Sequence, residues 1–150
     1  MRKDLFLPER PDLFEEPLEK NKDINLHLFQ YKRGVALGGT FDHLHNGHKL
    51  LLTQALLCSD QKIVCGITTD ALLKKKAYAE FLESFEMRQA SVIKFCKRLN
   101  PRIFEGERPK LHIFELADPI GPTGTDSELE ALILTREVEK GGKMINDTRA

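Results

Sequence analysis

The sequence contains few cysteines, and their arrangement excludes the sites that cysteine pairs usually build. Three occur among the 150 residues, at Cys58, Cys65 and Cys96. Because the number is odd and no Cys-x-x-Cys pair is present, a disulfide framework and a zinc site are both disfavoured. Each cysteine lies among apolar neighbours, so we expect three small core residues in a reducing compartment.

The sequence also lacks an excess of charge and any long hydrophobic run. Lysine plus arginine and aspartate plus glutamate number 23 each, so the formal net charge is zero. This balance gives no support for a protein that binds nucleic acids or membrane surfaces broadly. No apolar run could cross a membrane, and the N-terminus lacks the apolar stretch of a secretory signal. We therefore expect a cytoplasmic protein.

The length predicts one domain with a single hydrophobic core. Residues 1–33 show no hydrophobic period, and we expect a partly ordered N-terminal extension there. From residue 34 onward, short apolar runs alternate with segments of helical period. The predicted strands are 34–37, 62–67, 111–116 and 131–135, and the predicted helices are 47–59, 84–99, 126–130 and 141–149. Asn46 is the expected cap of the first long helix.

This alternation predicts an α/β protein with a parallel sheet that is covered by helices on both faces. In such sheets, ligands bind beyond the carboxyl ends of the strands. Three loops are expected at that edge, at 38–48, 68–78 and 118–126. The candidate functional residues are therefore sought in these loops.

The loop 38–48 carries the strongest functional signal. Gly38 and Gly39 allow the backbone to turn tightly beside a ligand, and Thr40 offers a hydroxyl to a phosphate oxygen. His45 and His48 are three residues apart, so on a first helical turn they can share one face. The helix N-terminus would add free N–H groups and a favourable dipole. The string predicts a nucleotide triphosphate site, and the alternative is a structural turn with exposed histidines.

The same loop resembles the G-T-F-D-x-x-H-x-G-H signature of the nucleotidyltransferase superfamily, in Gly39-Thr40-Phe41-Asp42 and His45-Asn46-Gly47-His48. Further segments resemble the eukaryotic and archaeal type of phosphopantetheine adenylyltransferase. They are Asp70 to Lys76, Arg88, Asp118 to Asp126 and Thr135 to Arg149, so the resemblance covers residues 34–149. It implies a Rossmann-like, cytidylyltransferase-like domain over residues 34–150.

The resemblance also implies an activity. Members of this type transfer AMP from ATP to 4′-phosphopantetheine, which gives 3′-dephospho-coenzyme A and pyrophosphate in coenzyme A biosynthesis. The implied small molecules are ATP, the Mg²⁺ that ATP carries, and 4′-phosphopantetheine. The resemblance implies that the protein forms a homo-oligomer or associates with a partner domain. It implies no binding of nucleic acid or membranes and no resident metal.

Site residues follow from the resemblance, position by position. The implied catalytic residues are His45, His48 and Lys74. The implied nucleotide- and phosphate-binding residues are Gly38, Gly39, Thr40, Phe41, His45, His48 and Lys76. The implied substrate-binding residues are Thr40, Lys74, Arg88, Asp118, Gly121 and Thr123. For any single lysine of the run 74–76, a solvated charge is the alternative. Arg88 is expected to pair with an acid or a phosphate near the rim of the pocket, and the alternative is a surface arginine.

Other residues give weaker signals. The loop 118–126 suits a ligand wall or a plain turn in which Thr125 or Asp126 caps the next helix. Gly141-Gly142 indicates either a second anion-binding turn or an ordinary turn. His112 lies between apolar residues and is expected to be a partnered core histidine.

The chain departs from the family pattern at its end. It stops at Ala150, whereas family members continue into another strand and an Ile-Ser-Ser-Thr-x-x-Arg-like segment at the ATP phosphates. We therefore expect a domain without its C-terminal strand and a nucleotide site without one wall. Two alternatives to the adenylyltransferase follow, a non-catalytic nucleotide-binding or scaffold module and a transferase that uses CTP.

Overall fold

The computed structural model describes residues 33–59, 61–73 and 79–149. The strands are β1 (Gly34–Gly39), β2 (Lys62–Thr68), β3 (Leu111–Leu116) and β4 (Ala131–Ile133), and the helices are α1 (Asn46–Cys58), α2 (Asp70–Leu73), α3 (Phe85–Leu99) and α4 (Glu139–Arg149). Short 3₁₀ turns lie at Ala79–Phe81, Gly121–Gly124 and Arg136–Val138. The predicted extension, apart from Arg33, and the predicted site residues Lys74 and Lys76 lie outside the described residues.

The four strands form one parallel sheet in the order β3-β2-β1-β4. In the register of the central pair, Gly34 lies beside Lys62 and Gly39 beside Ile67. The chain moves outward from β1 through β2 to β3, and then returns to the other side of β1 with β4. This reversal places a topological switch point between β1 and β4, and ligands of open α/β sheets bind at the carboxyl ends there. The predicted parallel sheet is confirmed, and β1 leads directly into the loop with the histidines.

Helices cover both faces of the sheet. Alternate residues of the central strands, such as Val35, Leu37 and Cys65, join a core with residues of α1 and α3. On the opposite face, Ala36 and Val64 pack with Leu129, Phe114 and Leu132. Helix α4 contributes Ile145 beside Ala36 and Leu132 on that face. The architecture is therefore the predicted three-layer α/β arrangement.

The cysteines are confirmed as core residues. Cys58, Cys65 and Cys96 are buried and free of disulfides. Burial raises the pKa of the Cys65 thiol far above its ordinary value, and burial raises the pKa of Cys96 to about 11. Thiolates of Cys65 and Cys96 are consequently scarce at neutral pH, and these two side chains act as small apolar groups. The Cys58 Sγ accepts a hydrogen bond from the Gln54 amide at 3.0 Å. No helix in the described part of the chain is both long enough and apolar enough to cross a membrane.

The structure corrects the prediction of a helix at 126–130. A 3₁₀ turn forms earlier, at Gly121–Gly124, and 126–130 contains turns without a helix. The Asp126 carboxylate makes two other contacts. Its Oδ1 accepts from the Glu128 N–H at 2.9 Å, and its Oδ2 binds Lys62 at 2.8 Å. Asp126 therefore closes a local turn and attaches this turn to the start of β2 through Lys62. Neither Asp126 nor Thr125 caps a following helix.

Two further predictions about single residues are wrong. Helix α4 begins at Glu139, so Gly141 and Gly142 lie inside it and form no loop for an anion. Gly142 instead allows close packing, since a Cβ there would lie 2.5 Å from Leu134 Cδ2. His112 is exposed near the start of β3 and lines a cleft there, so it is not a core residue.

Candidate active site

The loop after β1 is held in a strained conformation. Phe41 and His43 have positive φ angles, 54° and 41°. Such angles cost about 1–3 kcal/mol each outside glycine and persist only where neighbouring contacts enforce them. Phe41 is fully buried, and its ring lies beneath the backbone of Gly39. Phe41 thus supports the loop from the core side, whereas Gly38, Gly39 and Thr40 retain exposed surface.

His45 caps helix α1, a role that the sequence assigned to Asn46. The backbone of His45 is extended, and its Nδ1 accepts a hydrogen bond from the Gly47 N–H at 3.1 Å. An accepting Nδ1 requires the neutral tautomer that carries its proton on Nε2. The cap therefore leaves an Nε2–H donor free to meet an anion at the helix N-terminus.

Gly47 makes this cap possible. A Cβ at Gly47 would lie 3.0 Å from His45 Cε1 and 3.2 Å from His45 Nδ1. At these distances the imidazole would have to move by a few tenths of an ångström. A side chain at this position would therefore disturb the hydrogen bond by which His45 caps α1.

His48 lies directly against His45. The two rings are stacked, with centroids 3.8 Å apart and planes inclined by 23°. The Phe41 ring lies on another side, with its centroid 5.3 Å from that of His48. Burial, and then the neighbouring His45, hold the pKa of His48 below its ordinary value of 6.5. His48 is therefore mostly neutral near pH 7.

The His48 Nδ1 atom is buried and has no hydrogen-bond partner among the described residues. Buried polar atoms are seldom left unpaired in stable structures, and unpaired ones cluster at functional sites. The His48 side chain as a whole is only partly buried, so the paired histidines still present a polar surface at a helix N-terminus. Such a surface suits phosphate oxygens.

A clamp from the segment before α3 holds this loop. The Asp42 Oδ1 accepts from the Glu83 N–H at 2.8 Å, and the Glu83 Oε2 accepts from the His43 N–H at 2.8 Å. The His43 ring contacts the Phe81 carbonyl, with 3.2 Å between Nε2 and O. That carbonyl, followed by the Asp42 carboxylate, raises the pKa of His43. Sequence reasoning missed Asp42, His43 and Glu83 as a unit, because their partners are 38 to 41 residues away.

Arg88 lies beneath the same loop. Its side chain is fully buried and bonds to the carbonyls of Thr40, Thr68 and Glu83 and to the Asp70 carboxylate. The alternative of a surface arginine is therefore wrong. Its predicted contact with substrate stays a prediction, since every described partner belongs to the protein.

The loop after β3 is shaped by its own side chains. The Asp118 Oδ1 accepts from the N–H groups of Ile120 and Gly121, at 2.9 and 2.7 Å. These bonds lower the pKa of Asp118. The buried Thr123 hydroxyl donates to the Ile120 carbonyl. Asp118, Gly121 and Thr123 thus build the loop, and their predicted substrate contacts stay predictions.

A separate cleft of about 770 Å³ opens at the opposite edge of the sheet, where the strands begin, and His112 contributes to its lining. Two of its cations already have partners within the protein. Lys62 binds Asp126 and Glu128, and Arg33 lies 3.5 Å from Glu130. Arg108 also lines the cleft, which lies away from the carboxyl edge of the sheet where the histidines lie.

The described residues offer no cluster of side chains that would hold a metal ion. Among residues 33–59, 61–73 and 79–149, no three His, Cys, Asp or Glu side chains are grouped suitably for a metal ion. The chemistry available from the described residues is hydrogen-bond donation and positive helix-terminus potential. These are the means by which proteins bind phosphates.

Comparison with known proteins agrees with this geometry. A family model described as cytidylyltransferase-like matches residues 36–139. The chain belongs to the cytidylyltransferase-like family. The match begins in β1 and ends at the start of α4, so it includes all three loops at the carboxyl edge.

Curated relatives refine the family. A phosphopantetheine adenylyltransferase of Saccharomyces cerevisiae is 39% identical over 139 residues, which are 92% of this chain and 42% of the yeast protein. A phosphopantetheine adenylyltransferase of Pyrococcus horikoshii is 39% identical over 116 residues, 77% of this chain and 68% of the archaeal protein. The chain thus spans under half of the yeast relative. These relatives confirm the resemblance that the sequence motifs indicated.

A solved structure confirms the fold. The crystal structure of an Archaeoglobus fulgidus protein of unknown function matches with a TM-score of 0.63 and 29% sequence identity. The match covers 77% of this chain and 78% of that one. The Rossmann-like nucleotidyltransferase fold predicted from the sequence is therefore confirmed.

Proposed function

We propose that this chain is a pantetheine-phosphate adenylyltransferase, which moves AMP from ATP to 4′-phosphopantetheine. The stacked His45–His48 pair at the N-terminus of α1 carries the proposal. Adenylyltransferases named for this substrate in yeast and archaea, at 39% identity, support the choice of acceptor. The products would be 3′-dephospho-coenzyme A and pyrophosphate, in coenzyme A biosynthesis.

The reaction is an in-line displacement at the α-phosphorus of ATP. An oxygen of the acceptor phosphate forms the new P–O bond, while the bond between the α-phosphorus and the bridging oxygen breaks. The electron pair leaves with pyrophosphate. Because the acceptor is already an oxyanion, no general base is required. Catalysis then depends on positioning and on stabilising negative charge.

The histidines act as neutral donors in this scheme. His45 presents Nε2–H because its Nδ1 is committed to the cap. His48 stays neutral in the free protein, because burial lowers its pKa. Neutral donors that are already in place stabilise developing charge without a reorganisation cost. His48 would meet the transition-state oxygens, and His45 and Thr40 would hold phosphates of the two substrates.

The remaining assignments complete the proposed site. Mg²⁺ arrives as part of the substrate MgATP, with phosphate oxygens as its ligands. Gly38 and Gly39 allow close approach of the triphosphate, and Lys74 or Lys76 neutralises part of its charge. Asp118, Gly121 and Thr123 form the acceptor wall through the loop that they shape.

Pyrophosphate release tests the proposal and separates its alternatives. The whole chain is assayed with ATP or CTP, each with and without 4′-phosphopantetheine. Release only with ATP plus phosphopantetheine is the expected result. Release with CTP would indicate a different transferase, and nucleotide binding without release would indicate a non-catalytic module. His112→Ala, at the distant exposed position, serves as the control variant and should keep wild-type release.

A further inference from the structure

Arg88 connects three segments of the candidate site through one side chain. Its Nη1 donates to the carbonyls of Thr40 and Thr68, both at 2.8 Å, and its Nε donates to the Glu83 carbonyl at 3.0 Å. Its Nη2 forms an ion pair with Asp70. A guanidinium has five N–H donors in a rigid, planar fork, so it can hold several acceptors at fixed angles.

Each of these acceptors lies in one of three segments around the candidate site. Thr40 opens the loop that leads to His45 and to His48 in α1. Thr68 and Asp70 flank the carboxyl end of β2, from which the chain continues towards the predicted lysines. Glu83 clamps Asp42 and His43. Arg88 is therefore the only side chain in the described part of the molecule that bonds to all three segments.

The geometry of the β1 loop makes such an anchor necessary. Phe41 and His43 hold positive φ angles that would relax if the contacts around them were lost. An in-line displacement tolerates little relaxation, since a misplacement of about 1 Å can cost about 100-fold in rate. The buried arginine has no exposed surface through which it could reach a phosphate in this conformation.

We propose that Arg88 is a positioning residue that couples the histidine loop to the end of β2, and does not bind substrate. This inference rests on the proposed function for its kinetic consequences. It assigns to Arg88 a different role from the substrate contact that family resemblance implied. Its partner in that role is Asp70, whose carboxylate fixes the orientation of the fork.

The proposal is tested by the kinetics of three variants, which are Arg88→Lys, Asp70→Asn and the double variant. Arg98→Lys, at an exposed position of the same helix, is the control. Lysine keeps the positive charge but lacks the planar guanidinium that bonds to several acceptors at once. Arg88→Lys should lower kcat about 10- to 100-fold per folded molecule, with KM for both substrates changed less than about threefold. The double variant should lose no more than Arg88→Lys, because both changes break one unit.

Two kinetic results would overturn the proposal. A rise of about tenfold or more in KM for one substrate, at constant kcat, would make Arg88 a ligand. A lower unfolding temperature with unchanged kcat per folded molecule would make its role purely structural.

Backbone amide NMR supplies a readout that does not depend on activity. Arg88→Lys and Asp70→Asn should each shift the resonances of 39–43 and of 68–70 together, whereas Arg98→Lys should shift neither group. Changes confined to α3 would contradict the coupling. If the wild-type chain released no pyrophosphate, the proposed function would fail, and the NMR comparison would still decide whether Arg88 couples the two loops.

Discussion

His45 and His48 stack face to face at the first turn of α1, with ring centroids 3.8 Å apart. The stack arises because His45 lies just outside the helix as its cap, while His48 lies within the first turn. Gly47 leaves the space that the His45 ring fills. One short segment thus places two imidazoles and a helix N-terminus at the carboxyl end of β1, where the sheet reverses its strand order.

Removing His48 should impair catalysis much more than folding. His48→Ala deletes a donor to the developing charge, and such deletions lower kcat by about 100- to 1000-fold. Pyrophosphate release under saturating substrates measures the change. The unfolding temperature should stay close to that of the wild type, since the ring is only partly buried. Near-normal turnover of His48→Ala would remove His48 from the mechanism.

Gly47→Ala should separate activity from helix stability. Alanine normally stabilises a helix by about 1 kcal/mol relative to glycine. At Gly47, however, the added Cβ would meet the His45 ring at 3.0 Å and displace it. We expect kcat to fall at least about tenfold, because the cap and its Nε2 donor are misplaced.

Gly141→Ala is the matched control for that change. Gly141 also lies in a helix, and a Cβ there would have no atom within 4 Å. This variant should raise the free energy of unfolding by about 0.5–1 kcal/mol and leave kcat unaltered. Equal kinetic behaviour of the two alanine variants would contradict the proposed role of Gly47.

Titration of His48 should reveal a depressed pKa. Burial and the proximity of His45 lower it below 6.5 in the folded chain. Because the unfolded chain then binds more protons, the free energy of unfolding should decrease as pH falls through the folded pKa of His48. NMR of the imidazole protons follows the titration, and His48→Gln should remove this part of the pH dependence. A folded pKa above 6.5 would be inconsistent with a neutral donor.

The three thiols should resist alkylation in the folded protein. Cys58, Cys65 and Cys96 are buried, and burial raises the pKa of Cys65 and Cys96. Treatment with iodoacetamide, followed by mass measurement, should give unlabelled native protein and three labels after denaturation. Rapid labelling of the native chain would show that the core opens readily.

Much of the fold could be predicted because its signals are local. Buried parallel strands appear as short apolar runs, and β3 has the predicted bounds Leu111–Leu116. The sequence favours Asn46 as the first cap, because asparagine is a favoured capping residue. The choice of His45 depends on the extended backbone that the strained loop imposes, and no residue preference indicates it.

Contacts between distant segments were less accessible to sequence reasoning. The acceptors of Arg88 are mostly backbone carbonyls, which every residue carries and which leave no pattern in the sequence. The absence of a helix at 126–130 has a similar origin, since Lys62, far away in the chain, engages Asp126. The candidate histidines were predictable, whereas the network that positions them was not.

The central claim is tested most directly by following the oxygen atoms of the acceptor phosphate into the products. The whole chain is incubated with MgATP and 4′-phosphopantetheine whose phosphate oxygens carry ¹⁸O, and the products are analysed by mass. Attack by the acceptor phosphate on the α-phosphorus predicts labelled 3′-dephospho-coenzyme A and unlabelled pyrophosphate, with the yield much reduced in His48→Ala. Release of AMP with transfer of pyrophosphate to the acceptor, or absence of the labelled product, would contradict the account.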